Sequence, residues 1–484
     1  MKRQFINDIA GKFKTALKDD AGKTLAYVLW GDLVHVHETR GTLARVTARG
    51  QKGWLPKSIL ADEGLLEVYV IDVGQGDGVL MRTPDDAWHL IDAGVSNAMQ
   101  MTKKGAANFL RWKFQTDLGR RVVHLKNLIL SHPDFDHYGG MIDLLNGKVQ
   151  RPERTFEVAV DNFFHNGMGR FAKAPKLGKA VSASTGPLPF DDYGVDEGGT
   201  FITELLEGKS SFRSPPRPFE ETFAEFAALV GKVPENVSRL SQKDEYLPGY
   251  KPGEAPVSIR VLGPIMEELT GGRQGLRELG SESVTRNGHS IVLRVDFNKV
   301  RILLTGDLNT ASQRLLLSYQ PLPEFAVDVA KGCHHGSDDI DLRFVRAIKA
   351  RATVVSSGDN EDYAHPRPRV LGASARYGRE CKGVKGELLP PLLYSTELAR
   401  SVKLSDVEAV RPRGGGAELA AAAADIKATE RGARFEPLDE MPISTDLMYG
   451  LINVRTDGER VLCAYMKEGG KDFDVQVFRA GVEP

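Results

Sequence analysis

Four side chains able to bind a metal stand within six residues: His132, Asp134, Asp136 and His137, in the run Leu128-Ile129-Leu130-Ser131-His132-Pro133-Asp134-Phe135-Asp136-His137-Tyr138-Gly139-Gly140. Imidazole nitrogen suits zinc, and carboxylate oxygen also suits manganese or magnesium, so this spacing makes a mixed nitrogen and oxygen site and points to a bound metal pair. The elements that must position these groups flank them. The apolar stretch from Val122 to Leu130 reads as a buried parallel strand, and Gly139-Gly140 before Met141-Ile142-Asp143-Leu144-Leu145 reads as a turn opening a helix. The ligands therefore belong on a strand-to-helix loop, and open α/β sheets gather their sites outside the carboxyl ends of strands.

Three later segments offer more ligand-type residues at strand ends. Asn287-Gly288-His289-Ser290 precedes the strand Ile291-Val292-Leu293-Arg294-Val295; Arg301-Ile302-Leu303-Leu304-Thr305 ends in Gly306-Asp307; Phe325 to Ala330 leads to His334-His335-Gly336-Ser337. Earlier, Leu66 to Met81 contains Asp72-Val73-Gly74-Gln75-Gly76-Asp77 between two strands, and His89-Leu90-Ile91-Asp92-Ala93-Gly94 supplies a third. This succession resembles the metallo-β-lactamase fold superfamily. Within it, the Asp-Val-Gly-Gln-Gly-Asp opening, the His-Pro-Asp-x-Asp-His loop and the His-His-Gly-Ser segment resemble the hydrolase domain of ComEC-type competence DNA-uptake proteins, over roughly residues 66 to 370 plus the last strands.

The resemblance implies an αββα sandwich in which His132, Asp134 and His289 hold one divalent ion, Asp136, His137 and His335 hold a second, and Asp307 bridges them. Asp92 is expected to orient the ligand loop by hydrogen bonds, with Asp72 and Asp77 also behind the ligands. Many members place a second histidine where Asp134 stands; a carboxylate there makes the first site more anionic and leaves zinc and manganese both open. His165 competes with His289 for the first site. Adjacent residues leaving a strand point opposite ways, so one of His334 and His335 is expected to be the ligand, His335 being preferred, with His334 near the reacting groups. His365, in a His-Pro pair after that segment, is placed to protonate a leaving oxygen. His35, His37, His89 and His124 lie in strand patterns and read as structural.

With 484 residues the chain is long enough for two or three domains, and 64 Lys and Arg against 65 Asp and Glu leave a net charge of −1, so affinity for polyanions must come from local patches. Such patches are Lys103-Lys104, Arg111-Trp112-Lys113, Arg120-Arg121, and Arg367 with Arg369. Three cysteines without CxxC spacing support neither a disulfide framework nor a cysteine zinc site, and no apolar run reaches the ~20 residues that span a bilayer, so a soluble cytoplasmic protein is expected. Residues 1–63 carry short alternating strands, and Trp30-Gly31-Asp32 with Gly53-Trp54-Leu55-Pro56 resembles a bacterial SH3-like barrel; Trp54 is either a core residue or part of a groove for a proline-rich peptide or protein partner. Residues 64–484 are expected to form the hydrolase domain, with insertions at about 166–256 and 371–445 and a closing meander from Tyr449.

Two divalent ions lower the pKa of water and neutralise charge at phosphorus. The expected function is therefore a metal-dependent phosphodiesterase or nuclease acting on nucleic acid or a nucleotide. The alternatives are a hydrolase of a small phosphoester or lactone, a metal-free module docking partners through the SH3-like domain, and a di-iron oxidoreductase.

Overall fold

The structure, a computed structural model, describes residues 2–8, 11–100, 105–147, 155–358, 365–397, 451–466 and 472–481. Lys103-Lys104, the glycine tract Gly414-Gly415-Gly416 and the alanine run from Ala420 lie outside the described residues.

Two sheets face each other. The first has nine strands in the order Asn236–Arg239, Glu157–His165, Val122–Leu130, Trp88–Ile91, Val79–Arg82, Leu66–Val70, Ile452–Thr456, Arg460–Met466 and Phe473–Arg479. Its first four strands are mutually parallel and the rest antiparallel, so the C-terminal meander closes against the strand that opens the domain. The second has six, in the order Ser258–Gly263, Val292–Phe297, Val300–Leu304, Val329–Lys331, Ala352–Val355 and Leu392–Ser395, and its last four are parallel.

An apolar layer between the sheets joins Val68, Val70 and Ile129 of the first to Val261, Leu293, Ile302 and Val354 of the second. On the outer face of the first sheet, helices Ala106–Arg111, Phe135–Leu145 and Glu221–Val230 bury Leu110, Met141, Leu144, Phe223 and Phe226. Helices Thr310–Tyr319 and Leu342–Ile348 cover the other sheet with Leu315, Leu316 and Phe344. The layers are thus helix, sheet, sheet, helix, the expected α/β sandwich. Covering on both faces explains why Leu128, Ile129 and Leu130 are all buried at the end of their strand, where a half-exposed strand would alternate. Residues 166–256 contribute the edge strand Asn236–Arg239 and the helix Glu221–Val230 to this core.

Residues 2–61 form a separate seven-stranded antiparallel sheet around Ile6, Leu17, Val28, Val34, Val46 and Leu55. It meets the C-terminal strands through Phe13, Trp30, Leu462 and Phe473. Arg455, fully buried, donates to Asp32 Oδ1 at 2.8 Å and to the Trp30 carbonyl at 2.7 Å. Trp30, 2% exposed, is the core tryptophan; Trp54 sits at the surface with its indole N–H donating to Asp20 at 2.7 Å. No helix among the described residues is long and apolar enough to cross a membrane.

Three histidines outside the metal pocket are buried as neutral rings. Burial pushes His89 and His165 down to about 3 and His289 to about 4. A pKa lowered on folding gives stability that is present above the unfolded value of 6.5 and is lost as pH falls toward 4. Each ring then costs up to about 1.4 kcal/mol per pH unit. Urea unfolding at pH 7, 5.5 and 4.5 should show that loss, and His89→Gln should reduce it by about one proton's worth; an unchanged slope would contradict the assignment.

Candidate metal centre

The run from Ser131 to Asp136 turns from strand to helix above the carboxyl end of Val122–Leu130. Asp134 is the N-cap residue of the helix Phe135–Leu145, yet its side chain makes no capping bond. The turn is tightly wedged. A Cβ on Gly76, whose φ is +100°, would stand 1.7 Å from the Asp136 carbonyl oxygen, and one on Gly140 would stand 2.0 Å from that of Ala93. Gly76, Gly139 and Gly140 are thus what lets the neighbouring loops approach the ligand loop.

Asp307 Oδ2 is the hub of the site. His335 Nε2 lies 3.1 Å from it, His137 Nε2 3.4 Å, His334 Nε2 3.6 Å and His132 Nε2 4.0 Å. Asp136 Oδ2 is 3.7 Å from His335 Nε2, and one donor atom each of Asp136, His137, Asp307 and His335 falls within 4.8 Å of all the others.

Hydrogen bonds on the far side of each ring fix which nitrogen faces this centre. His137 Nδ1 lies 2.8 Å from Asp92 Oδ2, and Asp92 Oδ1 also accepts the Ser131 N–H at 2.7 Å. His335 Nδ1 is 3.2 Å from both Asp77 Oδ1 and the Ser356 carbonyl. Those acceptors require a proton on Nδ1, so Nε2 is the nitrogen left to face the centre, where it takes a second proton or a cation. For His132, the Ser290 hydroxyl, which donates to the Asn287 carbonyl at 2.7 Å and accepts the Asp307 N–H at 2.9 Å, lies 3.2 Å from Nδ1, and the Ser131 hydroxyl lies 3.1 Å from it. Both hydroxyls meet Nδ1, so Nε2 is the nitrogen left facing the centre.

Among the buried atoms here without a hydrogen-bond partner are Nε2 of His132, His137 and His335, and Oδ1 of Asp307. Buried polar atoms normally find partners, so four orphans converging in one pocket fit a bound cation. The electrostatics agree. Burial opposes charge on His137 and His335, but Asp307 with Asp92 and Asp136, and Asp307 with Asp77, pull the two rings well above their usual value. Burial, with Asp307 and Asp134 adding repulsion, pushes Asp136 up. The pocket thus holds an excess of negative charge that protons or a cation must balance. Beneath it Lys331 forms a buried ion pair with Asp77.

Several expected residues are placed otherwise. His289 is not in the cluster: its Nε2 is bonded to the Arg277 carbonyl at 2.7 Å, and the next residue, Ser290, faces His132 instead. His165 is packed against Phe163 and Phe212, with Nδ1 accepting the Gly167 N–H, and does not join either. Asp72 is buried but belongs to neither group of clustered donors. Asp134 Oδ2 lies 3.9 Å from His132 Nε2, while Oδ1 is taken by Arg286 at 2.6 Å and Arg170 at 2.7 Å. His334 and His335 do not point opposite ways. Both have positive φ, 44° and 52°, so they form a left-handed turn rather than a strand end, and both rings approach Asp307. His334, 28% exposed, is at the mouth; the His365 ring centroid is 5.9 Å from that of His334. Among the basic stretches, Lys113 is buried against Asp117 and Arg120 pairs with Asp86, so neither faces this pocket.

Residues 71–358, more than half of the chain, match the family model described as the metallo-beta-lactamase superfamily. The chain belongs to that superfamily. As a member of the metallo-β-lactamase superfamily it is a hydrolase by class, with residues fit to bind divalent metal. It is also similar to ComE operon protein 3 of Bacillus subtilis (strain 168), 28% identical over 97 residues, 20% of this chain. The match spans 12% of that protein's length. Among solved structures it resembles Tm1679, a metal-dependent hydrolase of the β-lactamase superfamily, at 15% identity and a TM-score of 0.31, covering 67% of this chain and 98% of that one. A diphosphatase of the PhnP family gives 11% identity and a TM-score of 0.25, covering 60% and 85%.

Proposed function

We propose that this superfamily member is a metal-dependent phosphodiesterase or nuclease. The observation that carries the reading is the convergence of four imidazole nitrogens on one buried carboxylate oxygen, Asp307 Oδ2. Asp136, His137 and His335 would hold one divalent ion, zinc or manganese, His132 and Asp134 would hold another, and Asp307 would serve both. When bound, the pair supplies Lewis-acid charge stabilisation and lowers the pKa of water. The chain's own residues do the rest. Asp92 and Asp77 keep protons on Nδ1 of His137 and His335, which holds both Nε2 atoms ready as donors. Arg170 and Arg286 set two guanidinium groups beside the pocket, where a phosphodiester's charge is favoured over a neutral lactone. His334 at the mouth, with His365 behind it, is positioned to hold a proton for a departing oxygen.

The two ion sites are unequal in this reading. The set Asp136, His137, Asp307 and His335 is complete, whereas Asp134 shares its charge with two arginines and Ser290 stands where a third ligand was expected. Titration followed by elemental analysis should give one ion per chain retained through dialysis and a second only at higher free metal. Two ions released together would contradict this.

The N-terminal sheet is, in the same proposal, an SH3-like docking module. Trp54, with Arg40 over its ring at 5.2 Å, edges a groove of about 680 Å³. A proline-rich peptide should quench tryptophan fluorescence in the parent and not in Trp54→Phe; equal quenching would remove the groove from consideration.

The catalytic reading is tested by incubating metal-loaded protein with bis-p-nitrophenyl phosphate, labelled single-stranded DNA, RNA, cyclic dinucleotides and a lactone. Turnover of one or more phosphodiesters is expected. Turnover of the lactone alone would end the proposal.

A further inference from the structure

Away from the metal centre, the second sheet carries a cleft of about 940 Å³ in which the cationic side chains Arg301, Arg343, Arg346, Lys349 and Arg379 meet. Tyr193 and Tyr377 line it as well, and no lining residue is acidic. Three of the five are already engaged. Arg343 donates to Asp341 at 2.7 Å, and Arg301 lies 3.8 Å from Asp296. Arg379 donates to the carbonyls of Lys349 and Val327. Arg346 and Lys349 are exposed and form no ion pair among the described residues. Arg346 instead donates to the Tyr377 hydroxyl at 3.1 Å and lies over that ring at 4.7 Å, and Arg343 lies over Tyr193 at 5.2 Å. Leu322 on the rim is 47% exposed.

The topology fixes where this cleft stands relative to the chemistry. The strand Val300–Leu304 begins at Arg301 in the cleft and runs toward Asp307 in the metal pocket, six residues on, or roughly 20 Å at ~3.3 Å per residue. The helix Leu342–Ile348 follows the His334-His335 turn and runs back to end at Lys349. The two sites are therefore at opposite ends of one strand on the same sheet.

We infer that this cleft is a second binding site for single-stranded nucleic acid, which grips the substrate's backbone away from the metal pocket; the inference rests on the phosphodiesterase reading and names its substrate class. A basic groove that follows phosphates, with aromatic rings against which bases stack, is the recognition chemistry of single strands. A concave site of this size encloses a small number of flexible nucleotides, which suits unpaired bases better than the outside of a stiff duplex.

The test uses the full-length metal-loaded protein and a fluorescein-labelled oligo-dT with phosphorothioate linkages to slow cleavage, with anisotropy followed from 50 to 200 mM salt. The double variant Arg346→Gln with Lys349→Gln should bind at least about tenfold more weakly at 50 mM salt. Its log-log salt slope should be shallower by about 1.4, two phosphate contacts at about 0.7 each. Its turnover of bis-p-nitrophenyl phosphate should equal the parent's, which also reports that it is folded. Unchanged affinity and slope in the double variant would overturn the cleft assignment while leaving the metal centre untouched. Should the parent cleave no phosphodiester at all, the reading of the metal centre fails; binding that still depends on Arg346 and Lys349 would keep the cleft as a nucleic-acid surface.

Discussion

Asp307→Asn is expected to remove hydrolysis of bis-p-nitrophenyl phosphate at saturating zinc or manganese, by more than about 100-fold, while the variant stays folded. That bound exceeds what residues merely supporting a ligand usually cost, which is 10- to 100-fold. Asp307 Oδ2 lies within 4.0 Å of His132, His137, His334 and His335 alike, and an amide there brings no charge to share between two cations. The fold should survive because the imidazoles His335, His137 and His334 hold the Asp307 carboxyl well below its usual range against the cost of burial, and a neutral amide removes both that burial cost and the pull that raises His137 and His335. Circular dichroism and a thermal melt report the second part. Near-parental turnover at saturating metal would remove Asp307 from the chemistry.

Lys331→Met is expected to have the largest effect on stability, about 3–5 kcal/mol in urea unfolding of the metal-free protein. The Lys331 side chain is 2% exposed and that of Asp77 1%. Burial works against both charges, yet the pair keeps Lys331 raised and Asp77 near 2, so each charge is sustained by the other. Removing the ammonium, the largest of the favourable influences on it, leaves Asp77 buried with the His335 and His137 rings to offset its charge. The double variant with Asp77→Asn should recover part of the loss, as expected for a coupled pair. A cost below about 1 kcal/mol would show that the pair is not a structural support of the site.

The loop carrying the candidate ligands is legible in the sequence because a strand pattern ending at Leu130 and a helix pattern from Met141 leave His132 to His137 between them; the helix itself starts earlier, at Phe135, so Gly139-Gly140 lies inside it, where close packing on Ala93 and Ser96 requires small residues, and is not the turn the sequence suggests. Asp307 and His335 were readable for a related reason, each closing an apolar strand. His289 was misplaced because the turn after the helix Glu282–Gly288 decides which of two adjacent residues faces the ligand loop, and nothing local distinguishes His289 from Ser290. The paired approach of His334 and His335 depends on two left-handed residues in succession, a conformation that neither histidine announces. Lys331 carries a legible signal, a lysine in the apolar strand Val329–Lys331 just ahead of the histidine pair. Arg170 lies in a stretch that reads as a peripheral insertion; only the tertiary fold brings it to Asp134.

If imidazoles and carboxylates from these distant loops bind a divalent cation at one pocket, the ion itself can be located. Crystals grown with manganese, measured on the manganese absorption edge, test this most directly. An anomalous peak enclosed by Asp136, His137, Asp307 and His335 is expected, present first as the metal concentration is raised. Manganese peaks elsewhere, with that enclosure empty at millimolar metal, would contradict it.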